Sequence, residues 1–460
     1  MKIDKQSDFD KENLGFCEID QGFGIREAIE EAKRCLQCKN PTCRKGCPID
    51  NEIPQFIKAL AEGNIGEAGS IIAKRSNLPA VCGRVCPHEL QCEGTCVLNI
   101  KKKPIKIGKI ERFIADFEAE MGISSVEKSK YYEGDVAVIG SGPAGLTVAG
   151  DLAKRGFCVT VYESQLEPGG ILTYGIPKFR LDREVVRREI KKIENLGVVF
   201  KTGVVVGEDI TIDEMLNRER FDAVFIGTGT ALPKNLNIPG KELTGIMQAM
   251  YLLRMVTLFN HGDIDRKEIP IDEGDEVVVI GAGNVAFDAA RTALRLGAKQ
   301  VTIVYRRTRE TMPALQSEYE HAMAEGVQFK WLSSPVAFEG DENVRSLQYE
   351  VQQVDEEGNI TGTGELQTLA ADKVVIAIGQ RPAAKVISTA TDIEVNPEGY
   401  VITKERPYGM TTKKGVFAGG DVVHQPATVV LAMKEAQLVA QGIAKYVEAK
   451  RLLEELESND

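Results

Sequence analysis

The sequence has no run of about 18 consecutive apolar residues, the length expected of a membrane-spanning helix. It also lacks an apolar segment near its start. Residues 1–15, MKIDKQSDFDKENLG, are polar and do not resemble a secretory signal peptide. We therefore expect a cytoplasmic protein that does not enter a membrane.

Positive charge is scarce relative to negative charge. The chain has 57 lysines and arginines against 68 aspartates and glutamates, with a net charge of −11 and a pI near 5.3. Nucleic acids and anionic membranes bind basic surfaces, so neither is an expected partner. The only notable basic run is Lys101–Lys103, which we interpret as a solvated loop, with a docking patch as the alternative.

Cysteine, by contrast, is plentiful and unevenly distributed. Eight of the ten cysteines lie between residues 35 and 96, in CLQCKNPTCRKGCP and CGRVCPHELQCEGTC. In a reducing cytosol such cysteines are more often metal ligands than disulfides. Structural zinc sites favour two separated C-x2-C pairs. This chain has one such pair and a C-x3-C-P ending close to the ferredoxin pattern. Eight cysteines thus suggest two 4Fe–4S clusters with four ligands each, and zinc is the alternative.

Three segments of different character follow one another along the chain. Residues 1–125 carry apolar residues at helical spacing and show no strand alternation, so we predict a small helical domain that holds the clusters. Residues 135–167 and 276–310 each give an apolar strand, a glycine-rich turn, a helix and a second strand. Two such units predict an α/β fold with two Rossmann-like nucleotide-binding domains.

The first of these units contains the loop GSGPAG at 140–145. Gly140 permits the tight turn, Gly142 lets the backbone approach a pyrophosphate, and Gly145 lets the helix pack against the strand. Glu163 ends the second strand, where a carboxylate accepts hydrogen bonds from ribose hydroxyls and repels a 2′-phosphate. We predict that this unit binds FAD or NAD, and the alternative is a structural turn without a ligand.

The second unit contains the loop GAGNVA at 281–286 and a different strand end. Tyr305 stands at the position that Glu163 occupies in the first unit, and Arg306 and Arg307 follow it. Two guanidinium groups in place of a carboxylate suit a 2′-phosphate. We predict that this unit prefers NADPH. The alternative is a pair of solvated arginines beside an NADH site.

These motifs resemble those of the NADPH-dependent glutamate synthase small-chain family. The resemblance covers nearly the whole chain and rests on CLQC…C…CP, CGRVCP…C…C, GSGPAGL, PGGILTYGIPKFRL, YRR…MPA and GVFAGGD. The chain is also similar to the N-terminal part of dihydropyrimidine dehydrogenase and to the large subunit of the electron-bifurcating NADH-dependent ferredoxin:NADP oxidoreductase. In this family one glutathione-reductase-like domain is inserted into the other. The resemblance implies a helical iron–sulfur domain at 1–125, an FAD domain at 126–245 and 381–460, and an NADPH domain at 246–380.

The resemblance also implies which residues contact the nucleotides. FAD would be held by Gly140, Gly142, Pro143, Ala144, Gly145, Glu163, Gly169, Gly170, Arg180, Gly420, Asp421 and Thr428. NADPH would be held by Gly281, Gly283, Asn284, Arg306, Arg307, Ala377 and Gly379. Asp421 would bind the ribitol chain, and Thr428 would start a helix whose N-terminus faces the flavin pyrimidine. Many relatives carry small residues where this chain has His424, which either touches the flavin or, as we favour, is an ordinary loop histidine.

The cluster ligands are likewise implied by the resemblance. One cluster would be held by Cys35, Cys38, Cys43 and Cys96, and the other by Cys47, Cys86, Cys92 and Glu111. Cys82 would then be a spare thiol. In the alternative, Cys82 is the eighth ligand and Glu111 is a surface residue of its helix, with His88 as a third candidate.

Together these parts predict an electron path from NADPH through FAD to two 4Fe–4S clusters. Hydride passes directly between the two rings, so no catalytic acid or base is expected of the protein. The sequence has no glutaminase nucleophile, FMN barrel or pyrimidine site, which places the acceptor on another chain. That chain would be the glutamate synthase large chain or, for the bifurcating enzyme, a small NAD-binding flavoprotein. The sequence leaves open whether the chain forms a homo-oligomer. The alternative to an enzyme is a non-enzymatic iron–sulfur scaffold with degenerate nucleotide sites.

Overall fold

The computed structural model describes residues 15–123, 129–382 and 392–458. The chain forms two compact units. The larger unit comprises Ile19–Thr173, Arg180–Leu232 and Arg381–Asp460, and the smaller unit comprises Met1–Glu18, Tyr174–Phe179 and Pro233–Gln380. The boundary predicted at residue 125 lies outside the described residues, and the domain limits given above stay predictions. Within the described ranges, no helix combines the length and the apolar character needed to cross a bilayer.

The cysteine-rich part of the larger unit is helical. Its helices are α1 (Ile25–Lys33), α2 (Thr42–Gly46), α3 (Ile53–Ala61), α4 (Ile65–Ala73), α5 (Pro79–Val85) and α6 (Ile107–Glu120). Apolar residues at helical spacing, such as Phe56, Ile72 and Ile110, are buried together in one core. The cysteines lie mainly in the loops and helix ends at the edge of this core.

A βαβ unit opens the nucleotide-binding part of the larger unit. Its elements are β1 (Gly134–Ile139), α7 (Pro143–Arg155), β2 (Phe157–Glu163), α8 (Ile171–Tyr174), α9 (Arg183–Asn195), β3 (Val199–Thr202), α10 (Ile212–Asn217) and β4 (Ala223–Ile226). Strand β1 lies between β2 and β4 and is parallel to both. Because parallel strands end at the same edge of a sheet, the loops after β1, β2 and β4 come together there.

The smaller unit carries the second parallel sheet. The elements between residues 232 and 381 are β5 (Leu232–Pro233), β6 (Ile246–Gln248), α11 (Ala249–Asn260), β7 (Glu276–Ile280), α12 (Asn284–Arg295), β8 (Gln300–Val304), α13 (Gln316–Glu325), β9 (Gln328–Lys330), β10 (Ser333–Gly340), β11 (Val344–Val354), β12 (Ile360–Ala370), β13 (Lys373–Ile376) and β14 (Gln380–Arg381). The sheet order is β6-β13-β7-β8-β9, while β10-β11-β12 form a separate antiparallel sheet and β5 pairs with β14.

The chain then returns to the sheet of the larger unit. The last elements are β15 (Thr403–Glu405), β16 (Tyr408–Thr411), β17 (Val416–Ala418) and α14 (Val429–Ser458). The completed sheet has the order β15-β16-β17-β4-β1-β2-β3, in which β17 is parallel to β4. The predicted α/β fold, with a helical N-terminal region and two Rossmann-like units, is confirmed.

Candidate cofactor sites

The loop between β1 and α7 has the geometry of a nucleotide-binding turn. Gly140 has φ of +91°, and a Cβ atom there would lie 2.8 Å from the carbonyl oxygen of Gly227. A Cβ on Gly145 would lie 1.9 Å from the carbonyl oxygen of Gly140, so α7 approaches β1 closely only because residue 145 is glycine. Gly142 is the N-cap of α7, and a Cβ there would meet no heavy atom within 4 Å. Pro143 and Ala144 form the first turn of α7.

Glu163 lies at the end of β2, directly beside this loop. Its Oε2 accepts hydrogen bonds from the backbone N–H of Ser141 at 3.0 Å and from the Ser141 hydroxyl at 2.5 Å. The same hydroxyl accepts a hydrogen bond from the backbone N–H of Gly169 at 2.9 Å. A Cβ on Gly170 would lie 3.0 Å from the Cα of Gly142. Ser141, which the sequence motifs did not single out, therefore links two of the predicted FAD contacts, Glu163 and Gly169.

The loop after β17 forms another part of this site. A Cβ on Gly420 would lie 2.9 Å from the Cβ of Ala144. Burial raises the pKa of the neighbouring Asp421, whose carboxylate accepts a hydrogen bond from the backbone of Ala427. The Thr428 hydroxyl accepts a hydrogen bond from the backbone of Leu431 at 3.4 Å, at the start of α14.

Three further residues bear on the predicted FAD site. His424 is 63% exposed, and its Nε2 lies 2.7 Å from Oε1 of Glu435, which leaves both interpretations of this histidine open. Arg180 is half-buried in the segment that leads to α9. Thr228, just after β4, has a buried hydroxyl without a hydrogen-bond partner among the described residues. Thr228 was not among the residues predicted from the sequence, although the strand–Gly–Thr pattern FIGTGT marks its position.

The loop between β7 and α12 repeats the same geometry in the smaller unit. Gly281 has φ of +124°, and a Cβ there would lie 2.4 Å from the carbonyl oxygen of Ala377, which follows β13. Gly283 is the N-cap of α12, and a Cβ there would meet no heavy atom within 4 Å. Oδ1 of Asn284 is buried and has no hydrogen-bond partner among the described residues. Gly379 has φ of +100° in the turn after β13.

Arg306 and Arg307 follow β8 and are exposed. Neither guanidinium forms a hydrogen bond or an ion pair with the part of the chain that the structure describes. Tyr305, the residue before them, packs edge-on against Trp331 with 6.1 Å between ring centroids. Both arginines are therefore free to bind an anion at the strand end.

The first cavity of the iron–sulfur region is lined by four of the predicted ligands. Cys35, Cys38, Cys43 and Cys96 surround it, together with apolar side chains such as Leu36 and Val97. Burial raises the pKa of the Cys43 thiol to about 11. Since metals bind the thiolate, assembly of a cluster here would release protons.

The second cavity is lined by the other candidates. These are Cys47, Cys82, Cys86, Cys92, His88 and Glu111. Burial raises the pKa of the Cys47 thiol to about 12. Within the described ranges, no group of three or more His, Cys, Asp or Glu side chains is arranged to hold a single metal ion. Sets of four side chains around a shared space suit a cluster.

Glu111 is buried and is not a surface residue of its helix, while Cys82 lines the same cavity. Burial, together with the nearby carboxylate of Glu189, raises the pKa of Glu111 to about 8. Oε1 of Glu111 has no hydrogen-bond partner among the described residues. A buried carboxyl group with an unsatisfied oxygen, in a cavity lined by four cysteines, fits a ligand of the second cluster.

Cys82 and His88 have other contacts in this region. The Cys82 thiol lies 3.6 Å from the Met433 sulfur and also hydrogen-bonds the thiol of Cys86. Burial lowers the pKa of His88 to about 4, and its ring hydrogen-bonds the backbone of Cys82. Nε2 of His88 is buried without a partner among the described residues, but the ring packs closely against Gly108.

Two protein families match the chain. Residues 11–123 match the family described as dihydropyrimidine dehydrogenase domain II, 4Fe-4S cluster, and residues 134–436 match pyridine nucleotide-disulphide oxidoreductase. The first match confirms the prediction of iron–sulfur chemistry over the zinc alternative. Among solved structures, FprA from Mycobacterium tuberculosis has a TM-score of 0.57 and 22% identity, covering 69% of this chain and 85% of that chain, which supports the fold alone.

Several curated proteins are similar over nearly the full chain. The glutamate synthase (NADPH) small chain of Halomonas elongata is 37% identical over 94% of this chain and 93% of its own length. The corresponding Escherichia coli protein is 36% identical over 95% and 94%. The NAD-dependent dihydropyrimidine dehydrogenase subunit PreT of Escherichia coli is 33% identical over 94% and 97%. The chain therefore belongs to the glutamate synthase small-chain family of oxidoreductases, which join a 4Fe–4S domain to a pyridine nucleotide oxidoreductase domain.

Proposed function

We propose that the chain oxidises NADPH and delivers the electrons, through FAD and two 4Fe–4S clusters, to an acceptor on another chain. The observation that carries this proposal is the occurrence, in one chain, of two glycine loops at helix N-termini and two cysteine-lined cavities. When bound, FAD would allow two electrons that arrive as a hydride to be passed on one at a time, and the clusters would carry those single electrons. The protein's residues bind, orient and shield these groups, so we assign no catalytic acid or base.

The FAD groove would use the loop at 140–145 for the pyrophosphate, at the N-terminus of α7, where free N–H groups and the helix dipole favour anions. Glu163 would exchange its contacts with Ser141 for ribose hydroxyls, and Asp421 would accept from the ribitol chain. The N-terminus of α14 at Thr428 would face the pyrimidine edge, where reduced flavin gathers negative charge. Gly169, Gly170, Arg180 and Gly420 would border the same groove.

The NADPH groove would use the loop at 281–283 in the same way, with Asn284 at the first turn of α12. Its buried, unpaired Oδ1 supports a polar contact to the cofactor. Arg306 and Arg307 would bind the 2′-phosphate, which their exposed, unpaired guanidinium groups favour. Ala377 and Gly379 would lie against the nicotinamide side of the groove.

For the clusters we propose the ligand sets implied by the resemblance. Cys35, Cys38, Cys43 and Cys96 would hold the first cluster, and Cys47, Cys86, Cys92 and Glu111 would hold the second. The unsatisfied Oε1 of Glu111 supports its assignment as the eighth ligand. Cys82 lines the same cavity and is the alternative.

The acceptor is proposed to be a glutamate synthase large chain, since the small chains of that enzyme are more than a third identical to this chain. PreT, at 33% identity, is named as a subunit of a different enzyme, an NAD-dependent dihydropyrimidine dehydrogenase. We propose a cytoplasmic location. We also propose that the iron–sulfur domain spans residues 1–125, the FAD domain residues 126–245 and 381–460, and the NADPH domain residues 246–380.

The test is purification under anaerobic conditions followed by iron, sulfide and flavin analysis and NADPH-dependent reduction of a one-electron dye. We expect FAD, two clusters and dye reduction, but no glutamate from glutamine and 2-oxoglutarate by the chain alone. Co-purification of the partner from the native source would separate a glutamate synthase from a bifurcating enzyme. A colourless protein that NADPH does not reduce would support the scaffold alternative instead.

A further inference from the structure

The two segments that carry the first cysteine set are strongly basic, although the protein is acidic. Residues 34–47 and 95–106 each contain four lysines or arginines and no aspartate or glutamate. The basic residues are Arg34, Lys39, Arg44, Lys45, Lys101, Lys102, Lys103 and Lys106. The chain as a whole has a net charge of −11, so this concentration of positive charge is local.

Hydrogen bonds hold these two segments together as one surface. The Thr42 hydroxyl donates to the Thr95 carbonyl at 2.5 Å, and the Thr95 hydroxyl donates to the Thr42 carbonyl at 3.1 Å. Arg34 donates to the carbonyl of Lys103 at 2.9 Å. The two basic segments therefore lie side by side in the iron–sulfur region.

Five of these basic side chains have no partner of opposite charge in the part of the chain that the structure describes. Arg34, Arg44 and Lys106 pair with nearby carboxylates. The remaining lysines are exposed and form no ion pair with the described residues; they are Lys39, Lys45, Lys101, Lys102 and Lys103. A cluster of unpaired lysines raises the local positive potential and attracts acidic surfaces.

Exposed apolar side chains belong to the same two segments. Leu36 is 60% exposed, Val97 is 41% exposed and Ile100 is 86% exposed. Leu36 and Val97 also line the first cysteine cavity, so this face lies directly over the first cluster site. The second cavity is lined largely by buried residues such as Cys92 and Val430. Of the two cavities, the first is therefore the one whose lining includes exposed side chains.

We propose that this face, the basic exit face, docks an electron-accepting protein whose contact surface is acidic. The basic exit face consists of Leu36, Lys39, Lys45, Val97, Ile100 and Lys101–Lys103. The proposal rests on the proposed function, because it requires a cluster in the first cavity. The apolar centre would exclude water at the contact, while the lysine rim would steer the acidic partner into place. The segments contain no aromatic side chain on which bases could stack, so a nucleic acid is not the favoured occupant.

NADPH sets the number of electrons that the docked acceptor can receive. Each NADPH gives up a hydride, which is two electrons and one proton, and becomes NADP⁺. Each docked one-electron acceptor takes one electron, so two acceptor molecules are reduced for each NADPH and one proton is released.

The test uses the iron-loaded holoprotein, NADPH and two acceptors at low ionic strength: an acidic 2Fe–2S ferredoxin and a small uncharged quinone. The variant Lys101→Gln/Lys102→Gln/Lys103→Gln is compared with the control Lys191→Gln/Lys267→Gln/Lys299→Gln. The control lysines are exposed by 68%, 80% and 70% and lie elsewhere on the chain. Both triple variants change the net charge by the same amount.

We expect the exit-face variant to reduce ferredoxin about tenfold more slowly, with a weaker dependence on salt, because electrostatic steering contributes 10-fold or more to such rates. Quinone reduction and iron content should stay unchanged in both variants, and ferredoxin reduction should stay unchanged in the control. Equal ferredoxin rates in the two variants would overturn the proposal. So would a wild-type protein that reduces quinone but not ferredoxin, or self-association of the chain that the exit-face variant abolishes. Loss of NADPH-dependent quinone reduction in the wild type would instead contradict the proposed function.

Discussion

The thiol of Cys82 lies 3.6 Å from the thioether sulfur of Met433, a residue of α14. If all eight clustered cysteines bound iron, Cys82 would be the eighth ligand. Its thiol instead packs against the apolar side chain of Met433. Oε1 of Glu111, in the same cavity, is buried without a hydrogen-bond partner among the described residues. Burying an unsatisfied carboxyl group is costly, so metal ligation would relieve a larger penalty at Glu111 than at Cys82.

From this contrast we predict that Glu111→Ala loses or converts the second cluster and leaves the flavin and first cluster in place. Cys82→Ser should retain both clusters. The measurement is iron per flavin together with low-temperature electron paramagnetic resonance of the reduced protein. Glu120→Ala is the matched control, because Glu120 is exposed on the same helix. If Glu111→Ala keeps both signals while Cys82→Ser loses one, Cys82 is the ligand.

Selectivity for NADPH should depend on Arg306. A charge-assisted contact to phosphate contributes about 1.5–3 kcal/mol, so we expect Arg306→Ala to weaken NADPH binding by about 10- to 150-fold. NADH binding should change little, because NADH lacks the 2′-phosphate. Steady-state KM values for both cofactors measure the effect, with Arg345→Ala, an exposed arginine of the same unit, as the control. Equal losses for NADPH and NADH would show that the strand end does not bind the phosphate.

The sequence predicted those features whose cause is local. Both glycine loops, Glu163 and Arg306 lie where the strand–turn–helix pattern puts them, because the turn and the strand end are set by a few neighbouring residues. Phe179 shows why other features were not predicted. It lies in the PKFRL stretch that the family pattern associates with FAD, yet its ring lies 4.0 Å from the guanidinium carbon of Arg295. Such a contact depends on residues far apart in the chain. For the same reason the sequence did not reveal the hydrogen bonds of Ser141, and FIGTGT marks the position of Thr228 but not that its hydroxyl lacks a partner among the described residues.

Two glycines of the first loop should respond differently to alanine. A Cβ on Gly142 meets no protein atom within 4 Å, whereas a Cβ on Gly145 would lie 1.9 Å from a carbonyl oxygen. Gly142→Ala should therefore leave the stability of the flavin-free protein unchanged but weaken FAD binding, because the methyl group would occupy space needed by the pyrophosphate. Gly145→Ala should destabilise the flavin-free protein itself. Thermal unfolding and titration with FAD measure the two effects, and unchanged FAD affinity in Gly142→Ala would exclude this loop as the pyrophosphate site.

The smaller unit contains a buried ion-pair network that links α12 to α13. The side chains of Arg291 and Glu325 are 1% and 0% exposed. Glu325 accepts two hydrogen bonds from Arg291, at 2.8 and 3.0 Å, and two from Arg295, at 2.7 and 2.9 Å. The ring of Phe179 covers both guanidinium groups. Glu325 thus pairs with both buried cations, and Arg291 also donates to Oε2 of Glu318 at 2.7 Å.

Removing the charge of Glu325 should strongly destabilise the smaller unit. Burial alone would raise the pKa of Glu325, but hydrogen bonds from Arg295 and Arg291 outweigh it and hold the pKa below its ordinary value. This stabilisation is therefore complete above the unfolded-state pKa of about 4.3 and is lost as the pH falls through the lower folded-state pKa. We expect Glu325→Gln to cost about 3 kcal/mol of unfolding free energy near pH 7, because it leaves two buried guanidinium groups undercompensated. The loss of unfolding free energy should become smaller as the pH falls.

Urea unfolding monitored by the fluorescence of Trp331, the single tryptophan of the chain, measures the unfolding free energy of this unit. Glu320→Gln on the exposed face of α13 is the control, and a loss that does not change with pH would contradict the assigned charge state.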